Sequence, residues 1–302
     1  MTAAPIDLLI AGNLLVDDVV FGDGTTHMAQ AGGALLHAAL AAAACGLSVG
    51  CASVVGRDYP ADALELLRAR GVSLDGVRAL DRPGVRAWLL HEDGVRHMVL
   101  REGRPSHEDV SPAPGDLPPA WRAAPFAHVA PMPFSAQQAF VEAMGEGEGF
   151  LSLDPLRPLA DDTLDAWRGL AARCDAVLAS DDEMRLAGDP RTRLAALAVG
   201  RLRYAVHKRG AEGGLLLDTQ DGALWRWEAL PVTARDVTGA GDAFAAGFLA
   251  GLHGALPVAR ALALGAAAAS VAVERGSREG LSTMDRASLD ARAARVLVVR
   301  VS

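Results

Sequence analysis

Short apolar runs alternating with helix-like segments constrain this chain more than any other feature of its sequence. "DLLIAG" (7–12) reads as a first buried strand and "GALLHAALAAAACG" (33–46) as a helix ended by Gly46. "SVGCASVVG" (48–56) predicts a second strand, and "YPADALELLRARG" (59–71) a helix with Pro60 near its start. Further on, "FAHVAPM" (126–132), "GFLSLDP" (149–155), "DAVLAS" (175–180) and "RYAVHKRG" (203–210) predict strands. "DDTLDAWRGLAARC" (161–174) and "DDEMRLAG" (181–188) predict helices, and two Ala-rich helices near 240–253 and 257–274 close the pattern. Repeated βα units predict an α/β fold, a mostly parallel sheet with helices on both faces.

Three segments break the alternation. "GVRAWLLHEDGVRHMVLRE" (84–102) is two runs around Glu92-Asp93-Gly94, and Asp-Gly between such runs signals a hairpin. It has no helix of its own and is expected to project from the main sheet. "RPSHEDVSPAPGDLPPAW" (104–121) is Pro-rich and reads as the returning connection. "GGLLLDT" (213–219) and "ALWRWEAL" (223–230) form a second hairpin-like pair.

With 302 residues, 51% of them hydrophobic, the chain can bury one large core. We expect a single domain over 1–302. A net charge of −8 argues against nucleic-acid binding, and no Lys/Arg run tracks phosphates. Lys208 is the only lysine among 29 basic residues. Three cysteines without a CxxC pair fit a reduced cytoplasm. "MTAAPIDLLIAGNLL" lacks the features of a signal peptide, and the Ala-rich run at 31–45 reads as a buried helix, so no membrane partner is expected.

The clearest chemistry lies in "VTGAGDAFAAGFLAGL" (237–252). Gly239, Ala240 and Gly241 come immediately before or within the first turn of a helix, with Asp242 in that same turn. Glycines let backbone N–H groups approach a ligand, and a helix N-terminus adds partial positive charge. Asp242 beside such a cradle is placed to take a proton from an attacking hydroxyl. Phosphoryl transfer needs both features. The two helices that follow, poor in large side chains, either pack closely or leave room for a flat ligand. In an open α/β sheet, ligands sit beyond the C-terminal strand ends. Asp17, Gly32-Gly33, Asp154, Glu183, Gly210 and Gly213 all fall there in this reading.

"DVTGAGD" (236–242) resembles the C-terminal signature of the ribokinase-like sugar kinases, the PfkB carbohydrate kinase family. "GNLLVDD" (12–18) resembles that family's first-strand motif, "AGGALLHAA" (31–39) its Gly-Gly motif, "SDDE" (180–183) its Asn-x-x-Glu motif and "KRGAEG" (208–213) its nucleotide-side loop. The resemblance implies a ribokinase-like three-layer fold, with the 84–102 hairpin as a small β lid. It implies ATP and Mg²⁺ as cofactors and Asp242 as catalytic base, with the amides of Gly239, Ala240 and Gly241 as an anion hole. Asp17, Gly32, Gly33, His37 and Arg101 are then the substrate side. Ser180, Lys208, Gly210, Gly213, Thr238, Gly239 and Gly241 are the nucleotide side, and Glu183 holds Mg²⁺ through water. A homodimer through the lid is also implied.

Two departures stand out. His37 occupies the position where the Gly-Gly motif carries Asn, which argues against assuming ribose, and Ser180 stands where Asn is usual. Arg86, Arg96 and Arg101 lie on the hairpin, where each either belongs to a solvated strand face or reaches down to a polyhydroxy or anionic substrate. His91, His97 and His107 have no metal-site spacing. No GxxxxGK[ST] run exists, and no GxGxxG follows the first strand. These readings lead to an ATP-dependent kinase acting on a hydroxyl of a sugar or related polyhydroxy molecule. The alternative is a non-catalytic sugar or polyol sensor of the same fold. Asp242 argues against the sensor, since binding alone needs no base beside an anion hole.

Overall fold

A computed structural model describes residues 3–92 and 95–301. Its strands are β1 (Leu8–Ala11), β2 (Leu15–Val20), β3 (Thr26–Gly32), β4 (Val49–Val55), β5 (Ser73–Ala79), β6 (Arg86–Glu92), β7 (Val95–Leu100), β8 (Phe126–Val129), β9 (Phe150–Leu153), β10 (Ala176–Ser180), β11 (Tyr204–Lys208), β12 (Gly214–Asp218), β13 (Leu224–Trp227) and β14 (Val298–Arg300). Its helices are α1 (Ala34–Ala44), α2 (Ala61–Ala69), α3 (Phe134–Met144), α4 (Leu164–Ala171), α5 (Pro190–Ala196), α6 (Ala240–His253), α7 (Val258–Arg275), α8 (Ser277–Ser282) and α9 (Arg286–Ala293).

The larger sheet runs β14-β13-β12-β11-β10-β9-β8-β1-β4-β5. It is parallel from β11 to β5 and antiparallel from β11 to β14. Every residue of β4, "VGCASVV", is buried, as a central parallel strand covered on both faces requires. On one face lie Leu36 and Leu40 of α1, Leu249 of α6 and Leu264 of α7. On the other lie Trp121, Phe140 of α3, Trp167 of α4 and Leu194 of α5. Helices α6 and α7 touch backbone to backbone. A Cβ at Gly247 would sit 2.8 Å from the Leu264 carbonyl oxygen, and one at Gly265 would sit 2.8 Å from that of Phe244. The Ala/Gly composition thus gives close packing.

The second sheet, β3-β2-β6-β7, is the lid. The 84–102 hairpin supplies β6 and β7, while its turn, Asp93-Gly94, lies outside the described residues. The other half comes from residues 15–32, which the sequence motifs did not present as lid strands. Asp18 explains why β2 belongs there. Fully buried, it takes two 2.7 Å hydrogen bonds from the Arg86 guanidinium, one of 2.8 Å from Arg101 and one of 2.9 Å from the Ala29 N–H. One carboxylate thereby ties together residues from β2, β3, β6 and the end of β7.

One expectation gives way. Residues 181–188 form no helix. The Glu183 side chain turns back to accept the Ser180 N–H at 2.6 Å, and Met184 pairs with Leu159 in a short bridge. The helix starts later, at Asp189-Pro190, where Asp189 caps the N–H groups of Arg191 and Thr192 and Pro190 opens α5. The 104–121 connection is made of short 3₁₀ turns and carries the fully buried Trp121 into the core. Among the described residues, no helix is long and apolar enough to cross a membrane.

Candidate active site

The expected crevice falls at the C-terminal ends of β1, β9, β10 and β11, which carry Asn13, Asp154, Ser180 and Lys208 to one edge of the parallel sheet. At its centre is the start of α6. Gly239 caps this helix in the left-handed region, with φ of 76°. A side chain there would be strained, and it would collide with His37, whose ring Cγ lies 2.3 Å from the position of a Gly239 Cβ. Asp242 sits in the first turn. Ala240 departs from expectation: its N–H donates to the Val237 carbonyl at 3.2 Å, so it is spent on the turn that enters the helix. Of the three amides expected to form an anion hole, that of Ala240 is therefore already taken. Thr238 joins the same turn, its N–H bonded to Asp236 Oδ1 at 2.8 Å.

Asp17, Gly32 and Gly33 come together on the lid side. The Asp17 carboxylate lies 1.9 Å from where a Gly32 Cβ would be, so only glycine admits it. Gly33, with φ of 102°, packs its Cα against the Asn13 carbonyl. Asn13 was not singled out from the sequence. Its amide is 3% exposed, and among the described residues neither amide atom has a hydrogen-bond partner. A buried amide in that state marks a place where ligand or water completes the bonding. Its signal in the sequence was the Gly12-Asn13 pair at the end of β1.

His37 sits where α1, α6 and α8 meet. Its ring backs onto Gly239, and its Nδ1 pairs with the Ser277 hydroxyl at 2.8 Å, linking α1 to the starts of α6 and α8. Arg101 is drawn into the lid: its guanidinium binds Asp18 and stacks over Trp88 at 5.0 Å. The side chain of Arg96 lies outside the described set.

On the side expected to meet the nucleotide, Lys208 closes β11 and is buried. Its ammonium forms an ion pair with Asp154, whose side chain is 2% exposed. The Nζ also lies 3.3 Å from where a Gly241 Cβ would be. Burial works against the Lys208 charge. The carboxylates of Asp154, Glu183 and Asp242 more than offset it, so the lysine stays protonated. Burial pushes the Asp154 carboxyl up, Lys208 pulls against that, and Glu183 and Asp242 add to the rise. Beneath the pair, His128 is held neutral by burial, far below the usual imidazole range, with Nδ1 bonded to Ser152 Oγ at 2.9 Å.

Ser180 orients Glu183, donating both its N–H and its hydroxyl to the Glu183 carboxylate. Gly210, with φ of 51°, has open space around it. Gly213 is required by packing, since a Cβ there would sit 2.0 Å from the Trp227 carbonyl oxygen. The structure thus gathers Asp17, Gly32 and Gly33 on one side, and Lys208, Ser180 and Glu183 on the other. His37, Gly239, Gly241 and Asp242 lie where the two sides meet.

A helix start, an acid and a buried cation thus meet at the strand ends, and positioned charge beside an acid is what phosphoryl transfer calls for. The pattern defining the pfkB family carbohydrate kinase matches residues 17–283, and the chain belongs to that family. It is 26% identical over 268 residues to a cytidine kinase of Thermococcus kodakarensis, covering 86% of this chain and 93% of the relative. It is 30% identical over 270 residues to a fructokinase of Klebsiella pneumoniae, covering 81% and 84%. A putative ribokinase II from E. coli, solved with ATP and Mg²⁺, superposes with a TM-score of 0.78 at 20% identity, covering 96% of this chain and 99% of that one. The fold is ribokinase-like: a large, mostly parallel sheet with helices and a smaller lid sheet.

Proposed function

We propose that the protein is an ATP-dependent kinase of a single ribokinase-like domain, transferring the γ-phosphoryl group to a hydroxyl of a sugar, nucleoside or related polyhydroxy molecule. One observation carries the reading: Asp242 sits in the first turn of a helix whose glycine start faces a buried lysine. A sugar-binding module has no need of that combination. The relatives' names, cytidine kinase and fructokinase, keep both nucleosides and free sugars within the acceptor class.

Asp17, Asn13 and the Gly32-Gly33 backbone hold the acceptor. Asp242 takes the proton of the attacking hydroxyl as its oxygen bonds to the γ-phosphorus. The bond from that phosphorus to the β–γ bridging oxygen breaks, and ADP leaves. The Gly239 and Gly241 amides and the helix N-terminus meet the charge carried by the transferring group. His37, braced by Ser277, keeps Gly239 in its left-handed conformation. Lys208, Ser180, Thr238 and the open Gly210 turn face the nucleotide. The closed lid excludes water that would otherwise hydrolyse ATP.

The residues present fit Mg²⁺. Among the described residues, no group of three or more His, Cys, Asp or Glu forms a metal cage. Mg²⁺ is commonly held by one or two carboxylates plus phosphates and water, a role Glu183 suits. When bound, it neutralises charge on the β- and γ-phosphates. The reading includes a homodimer through the lid, supported by Met28, Met98, Val99 and Leu100, which stay exposed on its outer strands. It includes no nucleic-acid or membrane partner and places the enzyme in the cytoplasm.

The test is ADP release with ATP and Mg²⁺ across sugars, sugar acids, cyclitols and nucleosides. Turnover with one acceptor class, lost in Asp242→Asn, supports the reading. Acceptor binding by calorimetry without any turnover overturns it in favour of a sensor.

A further inference from the structure

We propose that Asp154 is a positioning residue for phosphoryl transfer: it fixes Lys208 at the Gly241 end of the anion cradle, where the ammonium meets the transferred group. The inference rests on the kinase reading above and assigns a role to a residue that reading leaves without one.

Composition gives the first argument. The chain uses Arg at every other basic position and Lys only at 208. A planar guanidinium needs more room than an ammonium. Here the cation lies beside Gly241, where even a β-carbon would be 3.3 Å from Nζ. The site therefore selects lysine on size.

Anchoring gives the second. Asp154 directly follows β9, and its backbone is held from two sides. Its N–H donates to the Val129 carbonyl at 2.9 Å, and its own carbonyl accepts from Gln137 Nε2 at 2.6 Å. Gln137 is itself fully buried. The carboxylate thus projects from a rigid strand end, and the Lys208 ammonium reaches back to it across β10.

Charge gives the third. Lys208 is also attracted by Glu183 and Asp242. An unanchored ammonium would settle on one of them, neutralising the base or the group assigned to the metal. Asp154, anchored at its strand end, fixes the ammonium by a direct ion pair while Glu183 and Asp242 act on it through their charge. A carboxylate buried with a single cation, beside two further acids, costs solvation free energy that packing alone would not require. A positioning role accounts for that arrangement.

The test is a double-mutant cycle in the full chain, with kcat and acceptor KM measured for each variant. Asp154→Asn is expected to lower kcat about a hundredfold with acceptor KM within about threefold of wild type. Lys208→Arg, which keeps the charge, is expected to lose as much as Lys208→Met. The pair Asp154→Asn/Lys208→Met is expected to be no slower than Lys208→Met, because Asp154 acts through the lysine. It also removes both buried charges, so it folds even where a single variant does not. Losses that multiply in the pair overturn the inference, as does near-normal kcat in Asp154→Asn. Wild-type turnover with a normal Asp154→Asn overturns this inference alone, whereas a wild type inactive with every acceptor overturns the kinase reading with it.

A second measurement needs no variant. ¹⁵N-lysine labelling marks one side chain in the whole protein. Adding ADP, Mg²⁺ and aluminium fluoride, which mimics a transferring phosphoryl group, is expected to shift the Lys208 Nζ signal. An unchanged Nζ signal, with ADP binding seen by calorimetry in the same sample, overturns the inference.

Discussion

Asp18 in the lid and Asp154 in the crevice are both buried carboxylates paired with cations. Asp18 is saturated: two arginines and a backbone N–H supply four hydrogen bonds to its two oxygens. That environment holds its carboxyl well below the usual range, at about 2: burial opposes ionisation, but the Arg86 and Ala29 hydrogen bonds and the charge of Arg86 outweigh it. Asp154 instead shares one ammonium with Glu183 and Asp242, and burial leaves its carboxyl above the usual range. Lid charges are satisfied within the protein and hold four strands together. In the crevice one ammonium acts with three carboxylates, beside a helix start that favours an anion. On the proposed reading, the difference separates an ion cluster that builds structure from one that meets a ligand.

The largest expected effect comes from Asp242→Asn, which keeps shape and removes the base. Steady-state kinetics should show kcat down about a thousandfold with acceptor KM little changed. Near-normal turnover would remove Asp242 from its role. Gly239→Ala should follow, at about a hundredfold in kcat, because the methyl group meets the His37 ring and the residue must hold φ of 76°. A variant with unchanged kcat would show that the cradle does not depend on this turn.

Asp18→Asn should sharpen the contrast by moving stability more than chemistry. Urea unfolding should show a loss of about 2 kcal/mol, less than for a fully buried pair because the Arg101 side chain is 37% exposed. Its kcat should stay well above that of Asp154→Asn, and the reverse order would erase the distinction between the two clusters. The smallest effect is in acid. The folded-state carboxyl of Asp18 is depressed, so its contribution is fully present above about pH 4 and is lost as pH falls through about 2. The stability gap between wild type and Asp18→Asn should therefore close over that window. A gap closing near pH 5 would contradict the saturated environment.

Much of this was legible in the sequence where local chemistry and tertiary role coincide. The strands around "DLLIAG" and "SVGCASVV" announce themselves because both faces are buried. The α6 start shows itself because two glycines and an acid stand together just where an Ala-rich helix begins. The lid was half legible. Residues 86–100 look like a hairpin, but β2 carries Asp17 and Asp18 in mid-strand, and the distant Arg86 and Arg101 are what satisfy the buried Asp18. "DDEMRLAG" looked helical from its leading acids, yet Glu183 bonds back to Ser180 and the true cap is Asp189. Asn13 and the Asp154–Lys208 pair depend on strands brought side by side from distant parts of the chain. Ala240 could not be separated from its neighbours until the Val237 carbonyl was seen to take its N–H.

ADP release by the wild type and Asp242→Asn, measured side by side with ATP, Mg²⁺ and the acceptor panel, tests the central claim most directly. The account predicts turnover with at least one sugar, cyclitol or nucleoside in the wild type and about a thousandfold less in the variant. Equal turnover in the two, or acceptor binding without ADP release in the wild type, would contradict it.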